Sequence, residues 1–391
     1  MDFTLSEEQR SFVEMAREFS RRELAPFAAH WDAACEFPVA TLRKAGELGF
    51  MSMYTPADAG GLGMSRLDAS LVVEELAAGC TSTAAYLTIH NMALWMIASF
   101  ANDDARARWL PKLLDGRWLA SYCLTEPGAG SDAASLRTRA VKVPGGYRLF
   151  GSKAFISGAG ATDVLVVMAR VEADGKSLSG SKGISAFVVD ARATGVSYGK
   201  KEAKMGWNSQ PTAAIHFDGA EVCEQDRLGK EGDGFGIAMR GLDGGRINIA
   251  SCSLGAAQAA LDDALRYSRE RKQFGAAIAE FQNTQFRLAD MATQLMASRV
   301  MVHLAASRLD EKHPEATAFC AMAKRFATDA CFEVCNAALQ IHGGYGYLQE
   351  FPLERRVRDV RVHQILEGTN EVMRVIIARR LLINETSEVF R

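Results

Sequence analysis

The sequence lacks most of the signals that would set it apart from ordinary globular proteins. It has 8 cysteines and 9 prolines in 391 residues, too few for a disulfide scaffold or a proline-rich segment. Its 45 basic and 47 acidic residues leave a formal net charge of −2, so no bulk charge attracts nucleic acid or an anionic membrane. The composition predicts two or three globular domains with reduced thiols, and partners bound at local sites.

A long apolar run is also missing. The most apolar early segment, residues 84–100, is interrupted by His90 and Asn91. A secretory leader has a basic region ahead of an apolar stretch, and the first ten residues contain no such pattern. We therefore expect no membrane insertion and a bacterial cytoplasmic location, or the mitochondrial matrix if the chain is a processed eukaryotic protein.

Hydrophobic spacing divides the chain into three regions. Apolar residues recur at helical spacing up to residue 118, short β-rich runs fill residues 119–233, and the helical period returns after Gly236. We predict an α+β, mainly α, fold with an N-terminal α-helical domain (1–118), a middle β domain (119–233) and a C-terminal four-helix bundle (234–391). The order α, β, α disfavours a doubly wound nucleotide-binding sheet, which needs alternating strands and helices.

Glycine-rich segments offer candidate phosphate sites. Residues 128–133 match the loose pattern G-x-G-x-x-A, but Pro127 precedes the turn and no long amphipathic helix follows, which disfavours a dinucleotide-binding motif. As a turn, segment 122–132 still offers the backbone amides and hydroxyls that suit a phosphate-bearing cofactor. Residues 146–151 miss the P-loop pattern, because Ser-Lys follows them, and are interpreted as a hairpin turn.

Cysteine and arginine clusters favour structural interpretations. Cys331 and Cys335 lie four apart on a predicted helix without paired His or Asp at metal-ligand spacing, so core packing is favoured over a metal site. The arginines at 355–361 are interleaved with Glu354 and Asp359, which is typical of a solvated or subunit-facing helix rather than a nucleic-acid patch.

Segment 364–371, QILEGTNE, carries the most informative single residue. Glu367 lies in apolar surroundings before a glycine, and a helix is expected to begin near Thr369 and Asn370. Burial there would raise the pKa of this carboxyl toward neutrality, as a general base requires. Helix capping by Glu367 explains the same segment equally well. Capping and cofactor binding are likewise both open for Arg271 and for the glycine turn at 340–347.

Six motifs, in order along the chain, resemble those of the acyl-CoA dehydrogenase family. They are YCLTEPGAGSD (122–132), KAFISGAG (153–160), LDGGR (242–246), RKQFG (271–275), QIHGGYGY (340–347) and LEGTNE (366–371). The resemblance covers essentially the whole chain and implies that family's fold, with a β-barrel as the middle domain. It also implies an FAD cofactor and dehydrogenation of an acyl-CoA thioester. Segments 199–212, 244–257 and 361–374 look most like members that act on isobutyryl-CoA.

The resemblance further implies the site residues, with Glu367 as the catalytic base. The residues expected to bind FAD are Tyr122, Leu124, Thr125, Gly130, Ser131, Phe155, Ile156, Ser157, Arg271, Phe281, Gln282, Gln340, Ile341, His342, Gly343, Gly344, Thr369, Asn370 and Glu371. Those expected to bind the acyl-CoA are Ser131, Asp243, Gly244, Gly245, Arg246, Leu366 and Arg379. A homotetramer is expected, in which Arg271, Phe281, Gln282 and residues 340–344 serve a neighbouring subunit. Electron-transferring flavoprotein is the expected acceptor, and no metal is expected.

Two departures from the family pattern bear on mechanism and substrate. Some branched-chain members carry the base at the position of Gly245, which has no side chain, so Glu367 is the remaining candidate. Many straight-chain members have Tyr before the base, whereas the smaller Leu366 leaves room for a 2-methyl branch, a selectivity of about 1–3 kcal/mol. The expected reaction is oxidation of isobutyryl-CoA to methacrylyl-CoA in valine catabolism.

Other functions are also compatible with these residues. The substrate could be 2-methylbutyryl-CoA or butyryl-CoA, and the enzyme could be an acyl-CoA oxidase. A different class of function, a non-catalytic flavoprotein or assembly factor that kept the fold, also remains open.

Overall fold

Helices form the first part of the chain. The computed structural model describes residues 4–173, 175–177, 179–384, 386 and 388–390. The first helices are α1 (Glu7–Phe19), α2 (Ala28–Ala34), α3 (Val39–Glu47), α4 (Arg66–Gly79), α5 (Thr81–Phe100) and α6 (Asp103–Leu113). Helix α5 contains the interrupted apolar run, and its buried His90 and Asn91 bond to Leu113 O at 2.9 Å and Phe50 O at 2.8 Å. None of the helices in these described ranges is long and apolar enough to cross a bilayer.

One nine-stranded sheet follows these helices. Its strands are β1 (Ala120–Cys123), β2 (Arg139–Val143), β3 (Gly146–Ser157), β4 (Val164–Ala173), β5 (Lys176–Ser177), β6 (Ile184–Asp190), β7 (Val196–Tyr198), β8 (Thr212–Cys223) and β9 (Arg227–Leu228). The order is β7-β8-β3-β2-β4-β6-β9, and β1 and β5 also pair with β4. The two longest strands, β3 and β8, pair antiparallel, while β1 pairs with β4 in parallel.

The hairpin turn predicted at residues 146–151 is wrong. Gly146 already pairs with Val143 on β2 and with Cys223 on β8, so these residues belong to strand β3. A Cβ atom on Gly146 would overlap the Val222 carbonyl. The glycine is needed for this close approach between strands rather than for a turn.

Helices resume in the last part of the chain. They are α7 (Gly234–Glu270), α8 (Gln282–Asp310), α9 (Ala316–Ile341), α10 (Leu353–Arg361) and α11 (Asn370–Asn384), with a small hairpin of β10 (Lys272–Gln273) and β11 (Ala276–Ala277) after α7. The 37-residue α7 is central, because it packs against α4, α5, α8 and α9. This α, β, α order confirms the predicted fold class. The domain limits 1–118, 119–233 and 234–391 stay a prediction, and residues 1–3, 174, 178, 385, 387 and 391 within them lie outside the described residues.

The interpretation of Cys331 and Cys335 as core residues is confirmed. Both are 0% exposed and pack in the hydrophobic cluster of the C-terminal helices. Six of the eight cysteines are buried, and Cys35 and Cys223 are exposed. Within the part of the chain that the structure describes, no group of three or more His, Cys, Asp or Glu residues is arranged to hold a metal ion.

Candidate active site

A cavity of about 320 Å³ lies where α5, α7, the sheet and the start of α11 meet, and we call it the central cavity. The predicted site residues that line it are Tyr122, Leu124, Thr125, Gly130, Ser131, Phe155, Ile156, Ser157, Arg246, Leu366 and Glu367. Motifs that are more than 200 residues apart in the sequence therefore surround a single space.

Glu367 has the properties of a general base. Its backbone is left-handed, with φ of 56°, which is uncommon for a residue other than glycine. Its Oε2 atom is buried and has no hydrogen-bond partner among the described residues. Burial raises the pKa of Glu367 to about 7, although the charges of Arg246 and Lys324 act in the opposite direction. An unpartnered carboxyl with this pKa at a cavity can accept a proton near neutral pH.

Helix capping at α11 belongs to a different residue. The hydroxyl of Thr369 accepts a hydrogen bond from the Val372 amide at 3.3 Å, and the Thr369 carbonyl accepts from the Met373 amide at 3.0 Å. Thr369 therefore caps the helix. This leaves the side chain of Glu367 directed to the central cavity.

Helix α7 lies directly beside the Glu367 carboxylate and backbone. Arg246 is 4% exposed, and its guanidinium donates to Asp243 Oδ1 at 2.6 Å and to the Glu367 carbonyl at 3.4 Å. A Cβ atom on Gly245 would overlap the carboxylate of Glu367. The missing side chain at position 245 therefore makes room for Glu367, and Arg246 holds the Glu367 backbone.

A buried ion pair fixes segment 122–132 against strand β3. The ammonium of Lys153, 0% exposed, donates to Glu126 Oε1 at 2.7 Å and to the Leu124 carbonyl at 3.1 Å. The backbone amides of Arg137 and Thr138 donate to the same carboxylate at 2.6 and 2.9 Å. These four hydrogen bonds therefore anchor the segment that forms this wall of the cavity.

Phe155 adds an aromatic ring to the cavity wall. It lies near the end of β3 in a left-handed conformation with φ of 57°, and 68% of it is exposed. The ring lines the central cavity beside Ile156 and Ser157. An exposed aromatic ring held at a cavity by an unusual backbone conformation suits a flat ligand.

A second group of predicted residues lines a different cavity, of about 600 Å³. Arg271 and residues 341–344 contribute to it, together with Tyr267 and Tyr345. The Arg271 guanidinium lies 5.5 Å from the centre of the Tyr345 ring. Around Gly343 and Gly344, a Cβ atom would meet nothing within 4 Å. An arginine next to open glycine backbone suits a phosphate group.

The remaining predicted residues do not line these two cavities. They are Asp243, Gly244, Gly245, Phe281, Gln282, Gln340, Thr369, Asn370, Glu371 and Arg379. Asp243 accepts from the Thr317 hydroxyl at 2.7 Å and contributes to a neighbouring cavity. Arg379 is exposed on α11.

Several residues near the site were not predicted from the sequence. Thr88, Met92 and Trp207 line the central cavity, and Lys324 bonds to the backbone next to Glu367. Lys324 had a detectable signal, since it lies at helical spacing among Cys320, Ala327 and Cys331 on the buried face of α9. Trp207 had none, because its left-handed backbone, with φ of 55°, is not visible in the sequence.

Three family profiles match the chain in succession. "Acyl-CoA dehydrogenase, N-terminal domain" matches residues 6–117, "Acyl-CoA dehydrogenase, middle domain" matches 121–220, and "Acyl-CoA dehydrogenase, C-terminal domain" matches 232–382. Together they span nearly the whole chain.

Two curated proteins are similar to this chain over almost their whole length. Isobutyryl-CoA dehydrogenase, mitochondrial, of Bos taurus is 55% identical over 97% of this chain and 90% of its own. The protein of the same name from Dictyostelium discoideum is 50% identical over 96% and 90%.

A solved structure extends the similarity to three dimensions. The structure of butyryl-CoA dehydrogenase from Megasphaera elsdenii superimposes with a TM-score of 0.93, at 39% identity, over 98% of this chain and 100% of its own.

Proposed function

We propose that this chain, which belongs to the acyl-CoA dehydrogenase family, oxidises isobutyryl-CoA to methacrylyl-CoA with Glu367 as the base. The chain is an acyl-CoA dehydrogenase with FAD as its cofactor. The observation that carries the proposed mechanism is the buried, unpartnered Oε2 atom of Glu367 at the central cavity. Valine catabolism is the corresponding pathway.

The residues of the central cavity fit a flavin. Besides Glu367 Oε2, the hydroxyl of Tyr122 is buried there without a hydrogen-bond partner among the described residues. A Cβ atom on Gly130 would meet nothing within 4 Å, so a ligand can approach this backbone closely. Phe155 and segment 122–131 would hold the ring system. The second cavity, with Arg271, would hold phosphate and adenosine groups, contributed across subunits in a homotetramer.

Removal of the α-proton is the step that falls to the protein. The α-carbon of a thioester is a weak acid, so its proton leaves only to a well-placed base while the developing negative charge on the carbonyl oxygen is stabilised. Glu367 would take this proton. Within the described residues no protein group accepts a hydrogen bond from the Glu367 amide, which leaves this amide able to donate to the thioester oxygen. A bound FAD would supply the acceptor for the hydride that leaves the β-carbon, so that loss of both hydrogens would give the α,β-double bond.

The preference for a short branched acyl group rests on two observations. Leu366, next to the base, lines the central cavity beside Ile249 and Met92, so aliphatic side chains surround the space near the α-carbon. The two relatives named for isobutyryl-CoA are 55% and 50% identical to this chain, whereas the butyryl-CoA dehydrogenase structure is 39% identical. We propose electron-transferring flavoprotein as the acceptor, and the compartment stays a prediction.

The assigned base is tested with Glu367→Gln. This variant should keep its flavin and lose the anaerobic bleaching that substrate causes, because an amide cannot take the α-proton. The control is Glu350→Gln, which changes an exposed carboxyl in the turn after α9 and should bleach like the unmodified protein. Normal bleaching of Glu367→Gln would exclude Glu367 as the base.

The substrate is tested by comparing kcat/KM on three thioesters. Isobutyryl-CoA should exceed 2-methylbutyryl-CoA and butyryl-CoA. A higher value for either of the others would replace the proposed substrate without changing the reaction. Rapid peroxide formation in air without an added acceptor would indicate an oxidase, and a purified protein that does not take up FAD would indicate a non-catalytic role.

A further inference from the structure

A polar network from helix α9 holds the segment that carries Glu367. The ammonium of Lys324, 0% exposed, donates to the Gly368 carbonyl at 2.8 Å and to Asn370 Oδ1 at 2.9 Å. The Asn370 amide group donates in turn to Thr328 Oγ1 at 2.9 Å and to Asp329 Oδ1 at 2.7 Å. Asp329 also accepts from the Gln364 side chain at 2.9 Å. Segment 364–370 is therefore anchored to α9 on both sides of Glu367.

Two cations bind two consecutive carbonyl groups at the base. Arg246 donates to the Glu367 carbonyl at 3.4 Å, and Lys324 donates to the Gly368 carbonyl at 2.8 Å. Both residues of the turn are left-handed, with φ of 56° at Glu367 and 87° at Gly368. A left-handed residue other than glycine costs about 1–2 kcal/mol, so this turn persists only because its surroundings hold it. Lys324 is the part of those surroundings supplied by α9.

A charged ammonium is also unusual at a position as buried as that of Lys324. Its ammonium donates to two uncharged oxygens, the Gly368 carbonyl and Asn370 Oδ1, and a buried ammonium that is not paired with a carboxylate is costly. Burial lowers the pKa of Lys324 to about 8; the charges of Glu367, Asp329 and Glu371 act against this shift, and the charge of Arg246 adds to it. Its contribution to the site is therefore electrostatic as well as geometric.

The titratable groups that interact electrostatically with Glu367 come from four parts of the fold. Arg246 on α7 and Lys324 on α9 are positively charged and favour the ionised carboxylate. Tyr122 on β1 and Tyr54, in the loop before α4, are neutral, because burial raises the pKa of both phenols. Lys324 is thus one of two groups that stabilise the negative charge of the base.

We propose that Lys324 is a positioning residue for proton abstraction: its ammonium fixes the turn that aims Glu367 at the substrate, and its charge keeps this carboxylate ionised. This inference rests on the proposed role of Glu367 as the base. It assigns no contact between Lys324 and the substrate or the flavin.

The test measures the titration of Glu367 directly as well as the activity. Lys324→Met removes the charge and the hydrogen bonds, Lys324→Gln removes the charge but keeps a donor, and Lys324→Arg keeps the charge. Lys204→Met is the matched control. Lys204 is half-buried, and its ammonium also donates to a backbone carbonyl, that of Gln210 at 2.9 Å. The carboxyl band of protonated Glu367 is followed by difference infrared spectroscopy across pH, with Glu367→Gln identifying the band.

Loss of the Lys324 charge should raise the pKa of Glu367 by about one unit. Because only the ionised carboxylate acts as a base, the acidic limb of the kcat/KM profile should move to higher pH by the same amount. Lys324→Gln should show this shift if Lys324→Met does not fold, and Lys324→Arg and Lys204→Met should keep the limb in place.

Two results would overturn the proposal. One is an unchanged infrared titration in both uncharged variants, which would leave Lys324 with a packing role only. The other is full activity of Lys324→Met at every pH. The infrared titration needs no substrate, so failure of the proposed reaction would appear separately, as an unmodified protein that oxidises none of the three thioesters.

Discussion

A side chain at position 245 would occupy the same space as the carboxylate of Glu367. The family resemblance implies that some members carry their base at the position that Gly245 occupies here. In this chain, a Cβ atom at position 245 would overlap the Glu367 carboxylate. Position 245 on α7 and the Glu367 carboxylate are therefore directly adjacent. A glycine on α7 leaves the space that the proposed base, Glu367, occupies.

Gly245→Ala should inactivate the enzyme without unfolding it. The added methyl group would displace the carboxylate, and a displacement of about 1 Å costs on the order of 100-fold in kcat. Flavin content should stay the same. The control is Gly236→Ala on the same helix, where a Cβ atom would meet nothing within 4 Å. Steady-state kinetics of both variants check this prediction, and equal activities would show that the carboxylate can move aside freely.

At the scale of elements, strand β3 combines a buried and an exposed cation. Lys153 is 0% exposed and pairs with Glu126, whereas Arg148 has a side chain that is 52% exposed and pairs with Glu221 across the strand pair β3–β8. The first pair anchors the cavity wall 122–132. The second lies in water, where an ion pair contributes little.

Lys153→Met should therefore be far more harmful than Arg148→Met. Removal of one partner from a buried pair leaves an uncompensated charge and costs about 3–5 kcal/mol of unfolding free energy. The exposed pair should contribute less than about 1 kcal/mol. Urea unfolding of both variants, followed together with flavin release, measures the difference. Similar losses in the two variants would mean that the Lys153–Glu126 pair does not anchor the wall.

The elements themselves were largely predictable from the sequence, but their contacts were not. Hydrophobic periodicity indicated the α, β, α order because each helix buries one stripe and each strand alternates. The bonds that shape the site join residues with no local signal of pairing, such as Trp207 N and Asp359 Oδ1, 152 residues apart and 2.6 Å in distance. The error at residues 146–151 has the same origin, since Gly146 is required by a neighbouring strand.

At the scale of the whole molecule, Arg358 on α10 links three parts of the fold. Its guanidinium bonds to Asp32 on α2 at 2.7 Å, to Glu354 on its own helix at 2.6 Å, and to the Met205 carbonyl at 3.2 Å. The next residue, Asp359, accepts from the Trp207 amide. The segment before β8 is thus attached to the C-terminal helices while Trp207 lines the central cavity.

Arg358→Met should loosen the connection 199–211. Opening of this segment should become at least about tenfold more frequent, equivalent to roughly 1.4 kcal/mol of local stability. Limited proteolysis, with the cleavage sites identified by mass spectrometry, measures the rate. The control Arg192→Met removes an arginine whose side chain is 80% exposed and should leave cleavage in 199–211 unchanged. Equal rates in both variants would contradict the linking role.

The left-handed residues of this chain have a consequence for its divergence. In the described ranges six residues other than glycine have positive φ, and three of them, Phe155, Trp207 and Glu367, line the central cavity. Each is kept in a conformation that asparagine or glycine would adopt at lower cost. A duplicated gene released from selection for catalysis would gain stability by exchanging these residues. Loss of chemistry in a paralogue should therefore be recorded first at these three positions, while the core of the fold stays unchanged.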